Sequence, residues 1–304
     1  MKNKSLTALV SAFARAYHAE HNRQPVFDDS LARAMLSDEE YFSIGQHMSQ
    51  GAGFFLPDFS GTQDEALRAV VDYQLSPTPL GRAAFTEQAL YVAVMQGAGQ
   101  YLILAAGYDS FACRQPRWAR QLQIYEVDHP ATAADKQRRI AAMLPVKPDN
   151  VHYIPADLAE PAWLQLLQAA PGFNREVISF ISLLGISYYL PKAVFRQLLS
   201  DLAALLPAGS SFVFDYPDEH TFTPSAGERA QKQVVLAAQS GEPMQASYAY
   251  DELEQLLEAC GLLIYRHLTP SEINSEFFKA YNDSHPGHHI SAFDNVNYCL
   301  AVKR

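Results

Sequence analysis

Cysteine is scarce in this chain, and basic residues are outnumbered. Cys113, Cys260 and Cys299 stand far apart among 304 residues, with no C-x-x-C spacing. That count argues against a disulfide framework and a thiolate metal site, and it points to a reducing, cytoplasmic setting. Lysine and arginine total 23 against 33 aspartates and glutamates, for a formal net charge of −10. Phosphate backbones and anionic membrane surfaces select basic proteins, so neither nucleic acid nor membrane is expected as a partner. No apolar run reaches the ~18 residues of a membrane span. The start, MKNKSLTALVSAFARAYHAEH, has two lysines and a mixed apolar stretch, but Arg15, His18 and Glu20 interrupt it and no small-residue cleavage site follows, which argues against a signal peptide. HPGHH (285–289) has no carboxylate or cysteine at ligand spacing, so it reads as a solvated turn and no metal site is expected.

What is present is an ordinary enzyme-like balance, 48% hydrophobic and 18% charged, in a chain long enough for a large core. Residues 1–99 read as helical. Leu6, Leu9, Val10, Phe13 and Tyr17 share one face at roughly 3.6-residue spacing. A short helix is expected after a cap at Asp29, over LARAML, then a loop over GAGFFLPDFSG (51–61) and a helix over 63–75. SPTP (76–79) reads as a break before a helix over 80–96. From residue 100 strands alternate with helices: strands at 101–105, 122–127, 151–155, 176–184 and 210–216, helices at 130–144, 161–169 and 191–206. The tail reads as a helix over 251–259, a strand over 262–268, a helix near 271–280 and a last strand near 293–302. This alternation predicts an α/β fold, a doubly wound, mostly parallel sheet.

Glycine is also short where a phosphate-cradling turn would need it. YLILAAGYDS (101–110) runs from a strand into a turn with a single glycine, Gly107, so a dinucleotide pyrophosphate is a poor fit. A nicotinamide-dependent oxidoreductase is disfavoured on the same ground. Yet Asp128, with His129 beside it, ends the second strand about 20 residues on, where an acid accepts from ribose hydroxyls. A nucleoside without phosphates suits both features, and S-adenosylmethionine is such a ligand. The small residues Ala105, Ala106 and Gly107 let the backbone approach its amino-acid tail. Asp157 and Leu158 after the third strand suit an adenine, one accepting from its amino group and the other packing its ring. Each residue has a second reading. Asp128 and Asp157 suit helix caps, Asp109 suits a turn, Tyr188 and Tyr189 suit core packing, and Glu126 suits a structural pair.

These residues resemble the leucine carboxyl methyltransferase family, in particular a bacterial branch that includes polyketide carboxyl O-methyltransferases. The resemblance rests on LAAGYDS (104–110), Arg114, EVDHP (126–130), Lys136, Asp157-Leu158 and LGISYYL (184–190). Upstream, Ser5, Arg15-Ala16, Asp28-Asp29, Ala32 and GRAAF (81–85) also match, so it spans about residue 5 to 216. Two positions depart from the family pattern. Ala105 replaces the first turn glycine, and Leu184 replaces a glutamate that faces the ligand's ammonium region.

The resemblance implies a Rossmann-like class I methyltransferase fold with S-adenosylmethionine as donor. It implies that Arg82 holds the methionine carboxylate, Ala105 and Gly107 line the tail, Asp128 takes the ribose and Asp157-Leu158 the adenine. Loss of the acid at Leu184 either weakens cofactor affinity, shifts the load to Ser182 or a backbone carbonyl, or marks a chain that no longer methylates. Arg82 has separate support, since a cation at a helix start opposes the dipole by about 0.3–1 kcal/mol unless an anion binds; its second reading is a solvated turn arginine. Residues 1–78 are expected as a helical N-terminal extension, and 79–304 as the cofactor-binding domain with 217–250 as a substrate cap. The function expected is O-methylation of a small molecule, a carboxylate first, because it needs no general base; a phenol would need one, and His129 and His220 are candidates only by type. Arg15 is the residue expected to orient an acidic substrate. Phe13, Tyr17, Phe54, Tyr188, Tyr189, Tyr216 and Phe222 are candidates to line its pocket. The alternative is a cofactor-binding or regulatory protein without turnover, for which Leu184 speaks. The sequence leaves the acceptor and the oligomeric state open.

Overall fold

The computed structural model describes residues 5–144 and 146–304; Lys2 and Lys4 of the start lie outside them. Seven strands form one sheet: β1 Gln100–Leu104, β2 Gln123–Asp128, β3 Val151–Pro155, β4 Ser179–Leu183, β5 Ser211–Pro217, β6 Leu262–Leu268 and β7 Val296–Lys303. Their order is β3-β2-β1-β4-β5-β7-β6. The first five pair in parallel, and β7 runs antiparallel between β5 and β6. The strand order therefore reverses between β1 and β4, where the carboxyl ends of neighbouring strands diverge into a crevice.

The strands follow from their side chains. β1 and β4 are buried at every position, as central parallel strands covered on both faces must be. Successive residues then serve opposite layers. Leu102, Leu104, Ile181 and Leu183 pack with Phe195, Leu198 and Leu253 on one face. Tyr101, Ile103 and Phe180 pack with Leu80, Phe85 and Leu90 on the other. The edge strand β6 alternates, leaving Leu263 and Tyr265 exposed, and a bulge between Ile264 and Arg266 interrupts its pairing.

The N-terminal region builds a third apolar cluster. The helix Leu6–His21, capped by Ser5, buries Leu9, Phe13 and Tyr17 against Met35, Phe55 and Val70, and the cluster reaches Tyr108 and Ile140 of the sheet domain. Several expectations need correction here. LARAML forms only a 3₁₀ turn at Arg33–Met35, and Asp29 does not cap a helix but is buried among arginines. A helix at Asp38–Gln50 follows, opened by a Ser37/Glu40 capping box. The expected loop at 51–61 contains one short helix, Ala52–Phe55. SPTP does not break the chain. Helix Gln63–Val70 passes through a π-helical segment, Val71–Leu75, into helix Pro77–Met95. Pro77 and Pro79 fall in that helix's first turn, where missing N–H groups cost nothing. A boundary at 78/79 thus falls inside a helix. Segment 217–250 carries the helix Glu228–Gln239 and a single bridge, Asp218 to Tyr248. Among the described residues no helix is long and apolar enough to cross a membrane.

Candidate functional site

A cavity of about 740 Å³ lies over the carboxyl ends of β1 to β4. It is the size of a small-molecule site. Its walls come from the turn after β1, the ends of β2, β3 and β4, the first helix, the helix from Pro77, and residues 233–245.

The β1 turn is held by Asp128. One carboxylate oxygen accepts from the Gly107 N–H and the other from the His129 N–H. Burial pushes the Asp128 carboxyl above its ordinary range, although both N–H bonds pull it down. Asp128 is not the cap of the helix Pro130–Met143; His129 is, through Nδ1 accepting from Ala131 N–H at 3.3 Å. Gly107 sits at φ +49°, and a Cβ there would come 3.2 Å from the Cβ of Ala8. The first helix therefore closes directly onto the turn. Ala105 also lies in the left-handed region, at φ +52°, and is alone there among described non-glycine residues. Asp109 accepts from Phe111 N–H at 2.7 Å, an ordinary turn role, and it still lines the cavity.

Asp157 does not cap the helix Ala162–Gln168; its Oδ1 accepts from Ala159 N–H at 2.9 Å, closing a turn beside Leu158. Ser182 bonds the Tyr101 hydroxyl at 3.0 Å. Leu184 packs at the edge of the core on the helix Pro77–Met95 side. Glu126 is indeed paired, with its carboxylate 2.6 Å from Lys136 Nζ and both side chains buried.

Arg82 lies deeper in its helix than a turn or first-turn residue, so the dipole argument for it lapses. Its Nη1 donates to Asp215 Oδ2 at 3.1 Å and to the Tyr188 hydroxyl at 3.3 Å. Asp215 is fully buried, and its Oδ1 accepts from Gly185 N–H at 2.6 Å. Gly185 is required there: its φ is +70°, and a Cβ would meet Arg82 Nη1 at 2.5 Å. Where the family has an acid at 184, this chain brings a carboxylate from β5 up behind the next residue.

The cavity gathers Arg15, Arg82, Ala105, Ala106, Gly107, Asp128, His129, Asp157, Leu158, Ser182, Leu184, Tyr188 and Tyr189. Five of the aromatics expected to line the pocket are not there. Tyr17 belongs to the N-terminal core, stacked on His21 at 3.9 Å, because its helix turns that face inward. Tyr216 points to the opposite layer from Asp215 and bonds His267 at 2.7 Å. Phe13 is core, Phe54 and Phe222 are exposed, and His220 is outside the cavity. Arg15 borders the cavity but is committed: it donates to Asp29 at 2.8 Å, Ser11 at 3.0 Å and the Tyr108 carbonyl at 2.8 Å. It braces the turn rather than presenting a free charge. Sequence reasoning missed Gln74, Thr78 and Gln233, which also line the cavity. The four-residue spacing of Gln74, Thr78 and Arg82 was the available signal, hidden by reading SPTP as a break.

The donor set fits an adenosyl amino acid. A carboxylate stands beside a small-residue turn, an arginine lies across the β4 loop, and an acid-leucine pair sits at the β3 end. The Gly107 cradle leaves no room for a side chain.

YktD of Bacillus subtilis (strain 168), named as an S-adenosyl-L-methionine-dependent methyltransferase, is 40% identical over 310 residues, spanning 100% of this chain and 99% of its own. A DUF574 family protein from Streptomyces avermitilis superposes with a TM-score of 0.59 at 15% identity, covering 97% of each chain. A protein from Thermobifida fusca YX, described as a methyltransferase, gives 0.58 at 14% identity over 99% of this chain and 96% of its own. These two likenesses show the class I methyltransferase-like fold. The family description for leucine carboxyl methyltransferases matches residues 8–203, and this chain belongs to that family.

Proposed function

We propose that the protein transfers a methyl group from S-adenosylmethionine to an oxygen of a small molecule, a carboxylate first. The observation that carries the donor half is Asp128, set free of helix capping by His129 and turned onto the Gly107 turn. When bound, the donor supplies a methyl group already activated by its sulfonium. The chain's own residues do the rest. Asp128 accepts from ribose hydroxyls, Asp157 and Leu158 receive the adenine, and Arg82 meets the amino-acid carboxylate. The first helix and residues 233–245 exclude water and align the acceptor.

A carboxylate acceptor is supported by the chemistry of the lining. His129 is the only histidine among the described lining residues, and its Nδ1 serves the helix start. A carboxylate is ionised at neutral pH and needs no base. The acidic net charge supports a small-molecule acceptor over nucleic acid or membrane, and the three free cysteines support a cytoplasmic setting.

Calorimetric titration with S-adenosylhomocysteine, beside Asp128→Ala, tests the donor half. Binding by the wild type that the variant loses is the expected result. An absence of wild-type binding would remove the donor. The acceptor half is tested by product formation with small carboxylic acids against phenols. Leu184 favours the second reading, a cofactor-binding protein without turnover. Binding with no product from either acceptor class is what that reading expects.

A further inference from the structure

One helical face runs through the whole cavity. Gln74, Thr78 and Arg82 follow one another at four-residue spacing, and all three line it. Arg82 marks the donor end. Gln74 stands eight residues earlier, about 12 Å along the axis. It lies in the π-helical segment Val71–Leu75, a rare geometry that often marks functional positions.

The far end of this face holds buried polar atoms without partners. Gln74 is 6% exposed and Thr78 8%, and among the described residues neither Gln74 Oε1 nor Thr78 Oγ1 has a hydrogen-bond partner. The opposite wall is the helix Glu228–Gln239, which adds an unpartnered Gln233 Oε1. The two walls meet here, because Gln74 Nε2 donates to the Arg229 carbonyl at 3.4 Å, one turn from Gln233. That carbonyl can only accept, which fixes the Gln74 amide with its oxygen on the other side. Buried polar atoms normally find partners, and an unmade bond costs about 1–3 kcal/mol. These three atoms stand on two walls that meet here, and none of them makes a hydrogen bond among the described residues.

We infer that Gln74, Thr78 and Gln233 form an acceptor subsite that reads an uncharged group bearing N–H or O–H donors, such as an amide or hydroxyl, remote from the methylated oxygen. The subsite offers two amide oxygens and one hydroxyl. The Gln74 oxygen can only accept, so the subsite rewards a donor. The acceptor is therefore bifunctional: one oxygen is methylated near the Arg82 end, and a neutral donor group about two helical turns away sets specificity. This rests on reading the cavity as the chamber shared by donor and acceptor.

The test uses the whole chain with S-adenosylhomocysteine present and two neutral probes, benzamide and N,N-dimethylbenzamide, which differ in their N–H donors. Benzamide is expected to bind at least about tenfold tighter. In the Gln74→Leu/Thr78→Val double variant that ratio is expected to fall at least fivefold. Equal binding by the wild type, no binding of benzamide at tens of millimolar, or a ratio that survives both substitutions would overturn the subsite. Thr78→Val alone gives a readout without any probe. Removing an unbonded buried hydroxyl is expected to leave Tm unchanged or raise it, and a fall of several degrees would show that the hydroxyl is bonded within the protein and overturn the inference. S-adenosylhomocysteine titrated separately reports on the donor reading, so the two can fail independently.

Discussion

Arg82 and Asp215 are 133 residues apart and meet at 3.1 Å, an arginine on a cavity wall and a fully buried carboxylate behind it. The pair joins the helix Pro77–Met95 to β5, and Asp215 also takes the Gly185 N–H of the β4 loop. The carboxylate thus positions both the arginine and the loop that the proposed function assigns to the donor's amino-acid end.

Asp215→Asn should cost about 3–5 kcal/mol of stability, because it leaves Arg82 charged without its partner. It should also weaken S-adenosylhomocysteine roughly tenfold or more, while leaving 5′-methylthioadenosine, which has no amino-acid tail, nearly unchanged. Calorimetry with both ligands decides. Equal losses would reduce Asp215 to a purely structural role.

Ala105→Gly should stabilise the protein. A left-handed non-glycine residue costs about 1–2 kcal/mol, and glycine's extra freedom in the unfolded chain returns about 0.4–1 kcal/mol. A net gain of roughly 0.5–1 kcal/mol is expected at this φ of +52°, visible in chemical denaturation. A loss would mean that the turn relaxes around alanine in solution.

Gly107→Ala should do the reverse in the same turn. Its φ is +49° and the added Cβ would press on Ala8. A loss of about 1–2 kcal/mol is expected, together with weaker cofactor binding, since Gly107 N–H is a partner of Asp128. Unchanged affinity would detach the turn from the donor site.

Glu126 makes stability depend on pH. Burial pushes its carboxyl from the usual 4.5 up to about 7, against the pull of Lys136. The folded state therefore holds this proton more tightly than the unfolded state. Its contribution to stability is complete below about pH 4.5 and is lost as pH rises through about 7. Glu126→Gln has no carboxyl to titrate, so its stability should be flatter across that window. Denaturation at several pH values checks this, and identical slopes would refute it.

The sequence by itself determined the sheet. Apolar runs alternating with helical segments call for a parallel sheet, and β1 and β4, buried at every position, are its central strands. It also determined the place of Asp128, because strand length and turn length set how far an acid lies from the first turn. Local chemistry misled where it was ambiguous. Pro77 and Pro79 are as compatible with a first helical turn as with a break, and only the preceding helix decides which. The tertiary structure alone decided which side chains share the cavity. Tyr216 and Asp215 are neighbours in β5, yet strand alternation sends one to the core and the other to Arg82. Tyr17 was lost to the N-terminal core, and Gln74, Thr78 and Gln233 became a wall, because contacts between distant segments are set by packing that no local pattern encodes.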